Sequence, residues 1–277
     1  MGRNYLRAAK AAGIPIAAVI DSNAVQAKSA AAEFGCAVMT DTQGITAAVV
    51  AVPTAAHAAI AGPLLKSGVH SLVEKPFAAS ESECRALMEA AVMGRAVLQV
   101  GHIERFNPAV GALLARAISP STIVSFTARR MGPASARVSD ISVVSDLMVH
   151  DLDIVLALKP APVTKVEAVG TADHAEAALT FADGAIATLT ASRTAATRLR
   201  DLQVATNSGV FHLDYIAKSL MTDSGAPLVY AGDALGTELA EFVASTQTGL
   251  PPRVTGDAAL EVMKLAWRIE AALKVSA

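Results

Sequence analysis

The chain has 277 residues, of which 53% are hydrophobic and only 17% are charged, with a formal net charge of −2. This composition excludes a disordered chain, and the lack of a basic stripe argues against a nucleic-acid partner. The apolar runs have the length of strands rather than the roughly 20 residues of a membrane helix. We expect no signal peptide and no membrane partner, and a cytoplasmic protein. Cys36 and Cys84 lack the spacing of a metal or redox motif, so no metal site is expected.

The first hundred residues alternate short apolar runs with helical stretches. The expected strands are 16–20, 47–52, 71–73 and 96–100. The expected helices are 24–34, 57–66 and 80–93. Strands separated by single helices predict right-handed βαβ units and a parallel sheet, and strands that are apolar throughout indicate a sheet covered on both faces.

After Gly101 the pattern changes to successive strands. The expected strands are 123–129, 163–171, 175–181, 185–192, 202–206 and 209–215, and the expected helices are 105–118, 146–158, 237–248 and 256–274. The Asp183–Gly184 pair suits the tight turn of a β-hairpin. Strands that follow one another without helices predict a mostly antiparallel sheet. We therefore expect a parallel-sheet domain at residues 1–101 and an α+β domain with an open sheet at 102–277.

One strand of the second domain indicates an association between chains. Ile186, Thr188 and Thr190 alternate with alanines and a leucine, and neither face of the strand is strongly charged. In a monomer, one of these faces would be exposed to solvent. We therefore expect a homo-oligomer, a dimer or tetramer, whose interface is the open face of the sheet.

Asp21 follows the first apolar strand. In a dinucleotide fold, a carboxylate at this position hydrogen-bonds the adenosine ribose hydroxyls and repels a 2′-phosphate. Ser22 follows Asp21 where an arginine would favour NADP, so the residues favour NAD. A solvated loop aspartate is an equally simple interpretation of Asp21 alone.

Glu74, Lys75 and Pro76 stand at the carboxyl end of another strand, and ligands of open α/β sheets bind at that edge. The proline stiffens the turn, and a lysine held there can polarise a substrate oxygen. A lysine in such a turn is also commonly a solvated surface residue.

Asp146 and His150 are four residues apart, so an α-helix would place them on one face. The carboxylate can orient the imidazole, which changes its charge near neutral pH and suits general-base chemistry. The alternative is an ordinary surface pair.

Taken together, a strand followed by Glu74–Lys75–Pro76, a change of fold, and then Asp146-x-x-x-His150-Asp151 resemble the glucose–fructose oxidoreductase, inositol dehydrogenase and rhizopine-catabolism (Gfo/Idh/MocA) family. The resemblance covers essentially the whole chain. It implies a Rossmann-type doubly wound parallel sheet followed by an α+β domain with an open, mostly antiparallel sheet.

The resemblance also implies roles for individual residues. Lys75, Asp146 and His150 match the catalytic lysine, aspartate and histidine of the family. The residues that match its NAD site are listed together: Gly2, Asp21, Pro53, Thr54, His57, Glu74 and Lys75. In this family the histidine is described as the base and the lysine as the group that polarises the oxygen, although the sequence leaves open which of the two takes the proton.

The segment 101–108 is similar to the domain crossover of UDP-N-acetylglucosamine 3-dehydrogenases within this family. From it we expect His102, Arg105 and Asn107 to contact substrate, and we add Arg130 as a candidate for a diphosphate. A helix-start loop around Asn107 and a solvated strand-end Arg130 are the simpler alternatives.

The family's fingerprint Gly-x-Gly-x-x-Gly is matched only by its last glycine, Gly2, which Asp21 follows at close to the expected separation of about 20 residues. We therefore expect the first strand and two glycines to be missing through a misassigned start or a truncation. Since those glycines let the backbone approach the pyrophosphate, we expect weakened NAD binding.

The expected function is NAD-dependent oxidation of a secondary hydroxyl of a sugar, with a nucleotide sugar such as UDP-N-acetylglucosamine as the first choice of substrate and NADP as the less favoured cofactor. The alternatives are an inositol or polyol dehydrogenase, and a cofactor-poor remnant that serves as a scaffold.

Overall fold

The computed structural model describes residues 1–134, 141–223 and 225–274. The chain forms two compact units. The first unit contains Met1–Gly101 and Asp233–Ala259, and the second contains His102–Gly232 and the chain from Leu260 onward. The sequence placed everything after residue 101 in one domain, but 233–259 belongs to the first unit because its helix packs against the first helix of the chain.

The helices and strands are numbered in chain order. The helices are α1 Gly2–Ala11, α2 Ala24–Phe34, α3 His57–Lys66, α4 Glu81–Gly94, α5 Pro108–Leu114, α6 Val149–Leu158, α7 Ala234–Thr248 and α8 Gly256–Ala272. The strands are β1 Ala18–Val19, β2 Ala37–Val38, β3 Ala47–Val50, β4 His70–Glu74, β5 Leu98–Gly101, β6 Ile123–Met131, β7 Val163–Gly170, β8 His174–Phe181, β9 Ile186–Ser192, β10 Leu199–Thr206, β11 Gly209–Asp214, β12 Ser219–Thr222, β13 Leu228–Val229 and β14 Leu273–Lys274. No helix in the described ranges is both long and apolar enough to cross a lipid bilayer.

The first unit contains only parallel strand pairs, as the βαβ pattern predicted. Strands β1 and β2 form a two-stranded sheet, and β3, β4 and β5 form a separate sheet in that order. Helices connect these parallel strands, and the Rossmann-type α/β class expected from the sequence is confirmed. The sequence pattern predicted one parallel sheet, whereas the structure contains these two separate parallel sheets.

The core of the first unit joins both ends of its chain. It is built on Tyr5 and Ala9 of α1, Leu72 of β4, and Leu239 and Phe242 of α7. The amide of Val100 also donates to the carbonyl of Val254 at 3.1 Å. These contacts explain why residues 233–259 fold with the first hundred.

Local sequence signals fix several helix starts. The Asn23 side chain accepts hydrogen bonds from the amides of Val25 and Gln26 and caps α2. Ser80 caps α4 by accepting from the amide of Glu83 at 3.3 Å, and the Glu83 carboxylate accepts from the amide of Ala79, which resembles a capping box. Each such cap stabilises its helix by about 1 kcal/mol.

The second unit is organised by one nine-stranded sheet in the order β13-β12-β11-β10-β6-β9-β8-β7-β14. The pairs β6–β9 and β7–β14 are parallel and the others are antiparallel, which confirms the mostly antiparallel sheet expected. The predicted hairpin joins β8 to β9, with the Gly184 amide bonded to the Phe181 carbonyl at 3.0 Å.

Two predicted helices of the second unit differ from the structure. The helix expected at 105–118 is replaced by a short 3-10 turn and then α5, because Asn107 caps a new helix whose first residue is Pro108. The helix expected from Asp146 begins with the π-helical turn Val144–Met148, and regular α-helix follows only from Val149.

The two faces of the large sheet differ in burial. On β9, Ala187, Leu189 and Ala191 are buried, whereas Ile186 is 47% exposed and Thr188 is also exposed. Thr188 lies opposite Thr127 of β6 and Ala178 of β8, whereas Thr190 on the same face lies between the exposed Arg129 and Glu176, so the uncharged part of this face is limited to its centre. The face predicted to associate is therefore the one left open within the chain.

We expect Thr188→Arg to break the association of chains, because it puts a long charged side chain at the centre of the open face. Sedimentation should show a dimer or tetramer for the unmodified chain and a smaller species for the variant. Val92→Arg, at a 79% exposed position of α4, is the matched control and should leave the assembly unchanged. A monomer for the unmodified chain would contradict the prediction.

Candidate active site

The carboxyl ends of β3, β4 and β5 meet at one edge of the first unit's sheet, because parallel strands in register end together. Glu74 at the end of β4 lies opposite Gly101 at the end of β5. Pro53 begins the turn that follows β3, and Thr54 starts its 3-10 helix. Lys75 follows Glu74 directly and precedes a cis peptide bond to Pro76. The loop residues predicted for the nicotinamide end of a cofactor are thus brought to the same sheet edge.

Glu74 lies in a buried polar cluster. The Tyr5 hydroxyl donates to Glu238 Oε2 at 2.9 Å and lies near the Glu74 carboxyl, on the same side of Gly101. The Lys75 amide donates to Glu74 Oε2 at 3.1 Å. Burial raises the pKa of the Glu74 carboxyl, and the nearby Tyr5 hydroxyl and the charge of Lys75 offset only part of that effect.

The His57 ring is buried between two of these loops, and both of its nitrogens lie close to backbone carbonyl oxygens. Its side chain is 1% exposed. Its Nδ1 lies 3.1 Å from the carbonyl oxygen of Phe77 and its Nε2 lies 3.0 Å from that of Val52. The imidazole joins the loop after β3, predicted to pass under the nicotinamide half of the cofactor, to the loop after β4.

Asp21 and Gly2, predicted to bind the adenosine diphosphate half of NAD, lie at a strand end and at a helix start. Asp21 follows β1 and is exposed, and one carboxylate oxygen accepts from the Asn23 amide at 2.8 Å. Gly2 begins α1, with no atom within 4 Å of the place where a Cβ would stand. An exposed carboxylate at a strand end and an open helix N-terminus are the groups that bind ribose hydroxyls and pyrophosphate.

In the second unit, His150 lies in the first turn of α6 and is half-buried. The buried ring of His102 meets it edge to face, with ring centroids 6.5 Å apart. The structure thus brings one predicted substrate residue next to the predicted base.

Asp146 lies in the π-helical turn that precedes α6 and is half-buried. Its carboxylate forms an ion pair with Arg193 at 3.8 Å. Arg193 also donates to the carbonyl of Ile141 at 2.7 Å, so it holds the segment that leads into the turn. Single π-helical turns within helices are frequent at functional sites.

Arg130 is buried and fully engaged within the second unit. Its Nε and Nη2 each donate to Asp151 at 2.9 Å, and its Nη1 donates to Glu104 at 2.8 Å. The guanidinium also stacks 4.7 Å from the ring centroid of Tyr215. Burial opposes its charge, but the attraction of both carboxylates is larger and raises the pKa of Arg130.

Asn107 and Arg130, both predicted to contact substrate, make internal hydrogen bonds within the second unit. The Asn107 amide donates to Glu104 and to the Tyr215 carbonyl, and its oxygen caps α5. Arg105 is bound through Nε and Nη2 to Asp153, at 2.9 and 2.5 Å. These donors are used to pair buried carboxylates, which would otherwise be costly to bury.

The sequence interpretation missed several residues of these clusters. Tyr5, Glu238, Glu104, Asp151 and Arg193 were not assigned roles. The sequence did contain a signal for the buried ion pairs. Asp151 and Asp153 are two carboxylates in an otherwise apolar helix, and buried carboxylates require buried partners.

A parallel-sheet unit with an acidic residue after one strand, joined to a second unit with an open sheet and a histidine-bearing helix, defines a two-domain nicotinamide-dependent dehydrogenase. The comparisons with known proteins agree. Residues 1–102 match the model of the oxidoreductase family with an NAD-binding Rossmann fold, and residues 122–212 match the GFO/IDH/MocA C-terminal domain. The chain belongs to the Gfo/Idh/MocA oxidoreductase family, as the sequence indicated.

Among its relatives, UDP-N-acetylglucosamine 3-dehydrogenase of Acidithiobacillus ferrooxidans is 32% identical over 94% of this chain and 90% of its own. A crystal structure of that enzyme superposes with a TM-score of 0.93, over 99% of this chain and 94% of its own, at 30% identity. Inositol 2-dehydrogenase 1 of Saccharopolyspora erythraea is 28% identical over 75% of this chain and 65% of its own. Levoglucosan dehydrogenase in complex with NADH and levoglucosan shares the fold, with a TM-score of 0.85 at 18% identity, over 98% of this chain and 94% of its own.

We expect Arg130→Met to reduce the stability of the protein strongly, because it leaves Asp151 and Glu104 buried without their cation. Breaking a buried ion pair from one side costs about 3–5 kcal/mol. Urea denaturation should show this loss. Arg129→Met is the matched control, since the neighbouring Arg129 pairs with Asp201 at an exposed position, and it should cost about 1 kcal/mol or less. Equal costs for the two variants would contradict the structural role of Arg130.

Proposed function

We propose that this protein is an NAD-dependent dehydrogenase that oxidises a secondary hydroxyl of a nucleotide sugar, with UDP-N-acetylglucosamine as the first candidate. The observation that carries the proposal is the combination of near full-length similarity to a UDP-N-acetylglucosamine 3-dehydrogenase with the presence of Lys75, Asp146 and His150. The similarity alone identifies the family to which the chain belongs. The three side chains supply the acid–base chemistry that the reaction requires.

In the proposed reaction, Lys75 binds the oxygen of the hydroxyl to be oxidised through its ammonium group, which favours negative charge developing on that oxygen. His150 accepts the hydroxyl proton. NAD, when bound, supplies the hydride acceptor. Positioned proton transfer of this kind contributes typically 10²–10⁴-fold to a rate.

Asp146 is assigned the role of orienting and charge-stabilising His150. The π-helical turn and the ion pair of the Asp146 carboxylate with Arg193 support this role, because they hold that carboxylate at a defined place. The His102 ring lies edge to face with the His150 ring, with centroids 6.5 Å apart. Arg105 is assigned only a structural role: it donates to Asp153 and so holds α6 in place.

For the cofactor, Asp21 is assigned to the adenosine ribose and the α1 N-terminus at Gly2 to the pyrophosphate. Pro53, Thr54, Glu74 and Lys75 are assigned to the nicotinamide half. The exposed Asp21 carboxylate supports NAD over NADP, since it would repel a 2′-phosphate.

A second candidate, an inositol or polyol dehydrogenase, is favoured by the similarity to inositol 2-dehydrogenase 1. A screen that follows nicotinamide reduction with UDP-N-acetylglucosamine, UDP-glucose and myo-inositol separates the two. We expect the highest kcat/KM for UDP-N-acetylglucosamine. Turnover of inositol without turnover of either UDP-sugar would replace the first candidate with the second.

With the substrate found in that screen, Lys75→Met and His150→Asn should each lower kcat by about 10²–10⁴-fold, because each removes a group that acts on the reacting oxygen or its proton. NAD affinity from calorimetry should remain within a few-fold for His150→Asn. Lys66→Met, at the exposed end of α3, is the control. A kcat of His150→Asn equal to that of the unmodified enzyme would remove the histidine from the mechanism.

Asp21→Ala should weaken NAD binding and improve NADP binding relative to NAD, because it removes both the ribose acceptor and the repulsion of the 2′-phosphate. Asp41→Ala is a matched control: Asp41 also accepts a hydrogen bond from the amide two residues on, at 3.0 Å. Calorimetric titration with both cofactors gives the ratio. An unchanged ratio in Asp21→Ala would place the adenosine elsewhere.

A further inference from the structure

Near its start, strand β10 brings two arginines together on the sheet of the second unit. Arg200 of β10 lies directly opposite Arg130 of β6. Residues directly opposite each other on antiparallel strands point to the same face of a sheet, so Arg200 lies on the buried face that also holds Leu202. We propose that Arg200 binds the diphosphate of the substrate, an assignment that rests on the proposed function and deepens it.

The pairing of Arg200 differs from that of its neighbours. Arg129 forms an ion pair with Asp201, whereas the Arg200 guanidinium has no ion pair or side-chain hydrogen bond within the described ranges of the chain. The Arg200 side chain is half-buried, so solvent and a dissolved ligand can reach it. A partly buried cation without a counter-ion costs free energy, and an anionic ligand removes that cost.

The charges around Arg200 favour an added anion. Burial lowers the pKa of the Arg200 guanidinium, and the positive charges of Arg130 and Arg198 lower it further. Glu104 and Asp151 attract Arg200 without reversing this shift, because both carboxylates already accept hydrogen bonds from Arg130. The group contains three guanidinium cations and two carboxylates, so one positive charge remains for a ligand.

A series of contacts within the second unit connects Arg200 to the candidate base. Asp151 follows His150 directly in α6, and its carboxylate accepts from Nε and Nη2 of Arg130 at 2.9 Å. Arg200 is one strand away from Arg130, which corresponds to about 5 Å between Cα atoms. The anion site is therefore set back from the base by one ion pair and one strand.

This arrangement suits a nucleotide sugar. The diphosphate of UDP-N-acetylglucosamine is bonded to C1 of the sugar, so it is separated by part of the sugar ring from the hydroxyl whose proton His150 accepts. A guanidinium presents a planar fork of donors that matches two phosphate oxygens. Inositol carries no anionic group, so the unpaired charge of Arg200 supports the nucleotide sugar over the second candidate substrate.

The direct test is calorimetric titration with UDP, which carries the diphosphate without the hexose, so that the result does not depend on turnover. Arg200→Met should bind UDP about 10- to 100-fold more weakly, because it removes charge-assisted hydrogen bonds. Arg200→Lys keeps the charge without the fork and should have an intermediate affinity. Arg116→Met, at an exposed position of the same unit, should bind UDP as the unmodified chain does. Equal UDP affinities for Arg200→Met and Arg116→Met would overturn the proposal.

Stability without ligand separates a binding role from a structural one. Arg200→Met removes a charge that pairs with no described residue, so its free energy of unfolding in urea should equal or exceed that of the unmodified chain. Added UDP should raise the free energy of unfolding of the unmodified chain and of Arg116→Met, and much less that of Arg200→Met. A large loss of stability in ligand-free Arg200→Met would make Arg200 a structural residue and overturn the proposal.

Competition experiments separate a diphosphate from the other common anionic group of sugars, a carboxylate. Pyrophosphate should displace UDP from the unmodified chain, because it carries the group that Arg200 binds. D-glucuronate carries a carboxylate and no phosphate, and it should displace UDP far less well. Displacement by D-glucuronate that equals or exceeds displacement by pyrophosphate would overturn the assignment to a diphosphate.

Turnover gives a further readout. With UDP-N-acetylglucosamine, Arg200→Met should raise KM about 10- to 100-fold and leave kcat within a few-fold, because Arg200 acts on binding and not on the reacting oxygen. The KM for NAD should stay unchanged. A fall in kcat with an unchanged KM would overturn the binding role. If no UDP-sugar is turned over, the proposed substrate is wrong, while UDP titration of Arg200→Met still decides whether the anion site exists.

Discussion

Parallel pairing of β3, β4 and β5 is the constraint on which the candidate site depends. In an antiparallel sheet, successive strands would end at opposite edges, and the residues after β3 and β4 would be separated by the length of a strand. With parallel pairing, the loops after β3, β4 and β5 share one edge, and Glu74 comes to lie opposite Gly101. The β-α connections therefore bring the candidate site residues to one sheet edge through the strand topology alone, without specific contacts between their side chains.

Both units bury charge, and they do so differently. In the second unit, Arg130 compensates Asp151 and Glu104 with nearly ideal donor geometry, so the charges remain and are paired. In the first unit, burial raises the pKa of the Glu74 carboxyl, and the charge of Lys75 offsets only part of that effect. In the second unit, burial also raises the pKa of Asp151, and the attraction of Arg130 opposes this shift.

The sequence predicted those features that depend on short-range pattern. The order of strands and helices, the hairpin at Asp183–Gly184 and the strand-end position of Lys75 follow from apolar runs, glycines and caps within about ten residues. The π-helical turn before α6 was not predicted, because the apolar periodicity of Leu147, Val149 and Leu152 is compatible with continuous α-helix. The segment leading into this turn is also held by a residue from another part of the chain, since Arg193 donates to the Ile141 carbonyl.

The internal partners of Asn107 and Arg130 were not predicted for a similar reason. A polar residue near a crossover segment or at a strand end has the same appearance in the sequence whether it contacts a ligand or pairs with a buried carboxylate. The partners Glu104, in the 3-10 turn Ile103–Phe106, and Asp151, in α6, are brought to Arg130 only by tertiary packing. Arg130 is thus a structural residue whose exposure could not be deduced from its neighbours in sequence.

The return of residues 233–259 to the first unit has a consequence for synthesis on the ribosome. The bond between Tyr5 and Glu238 joins residues 233 positions apart, and Leu239 and Phe242 complete the core around Leu72. When the first hundred residues emerge from the exit tunnel, α1 and β4 have no helix α7 to cover them. Their apolar surface must wait until almost the entire polypeptide has been translated. The second unit waits longer still, because most of α8 and the edge strand β14 belong to it, so neither unit is complete before translation is nearly finished.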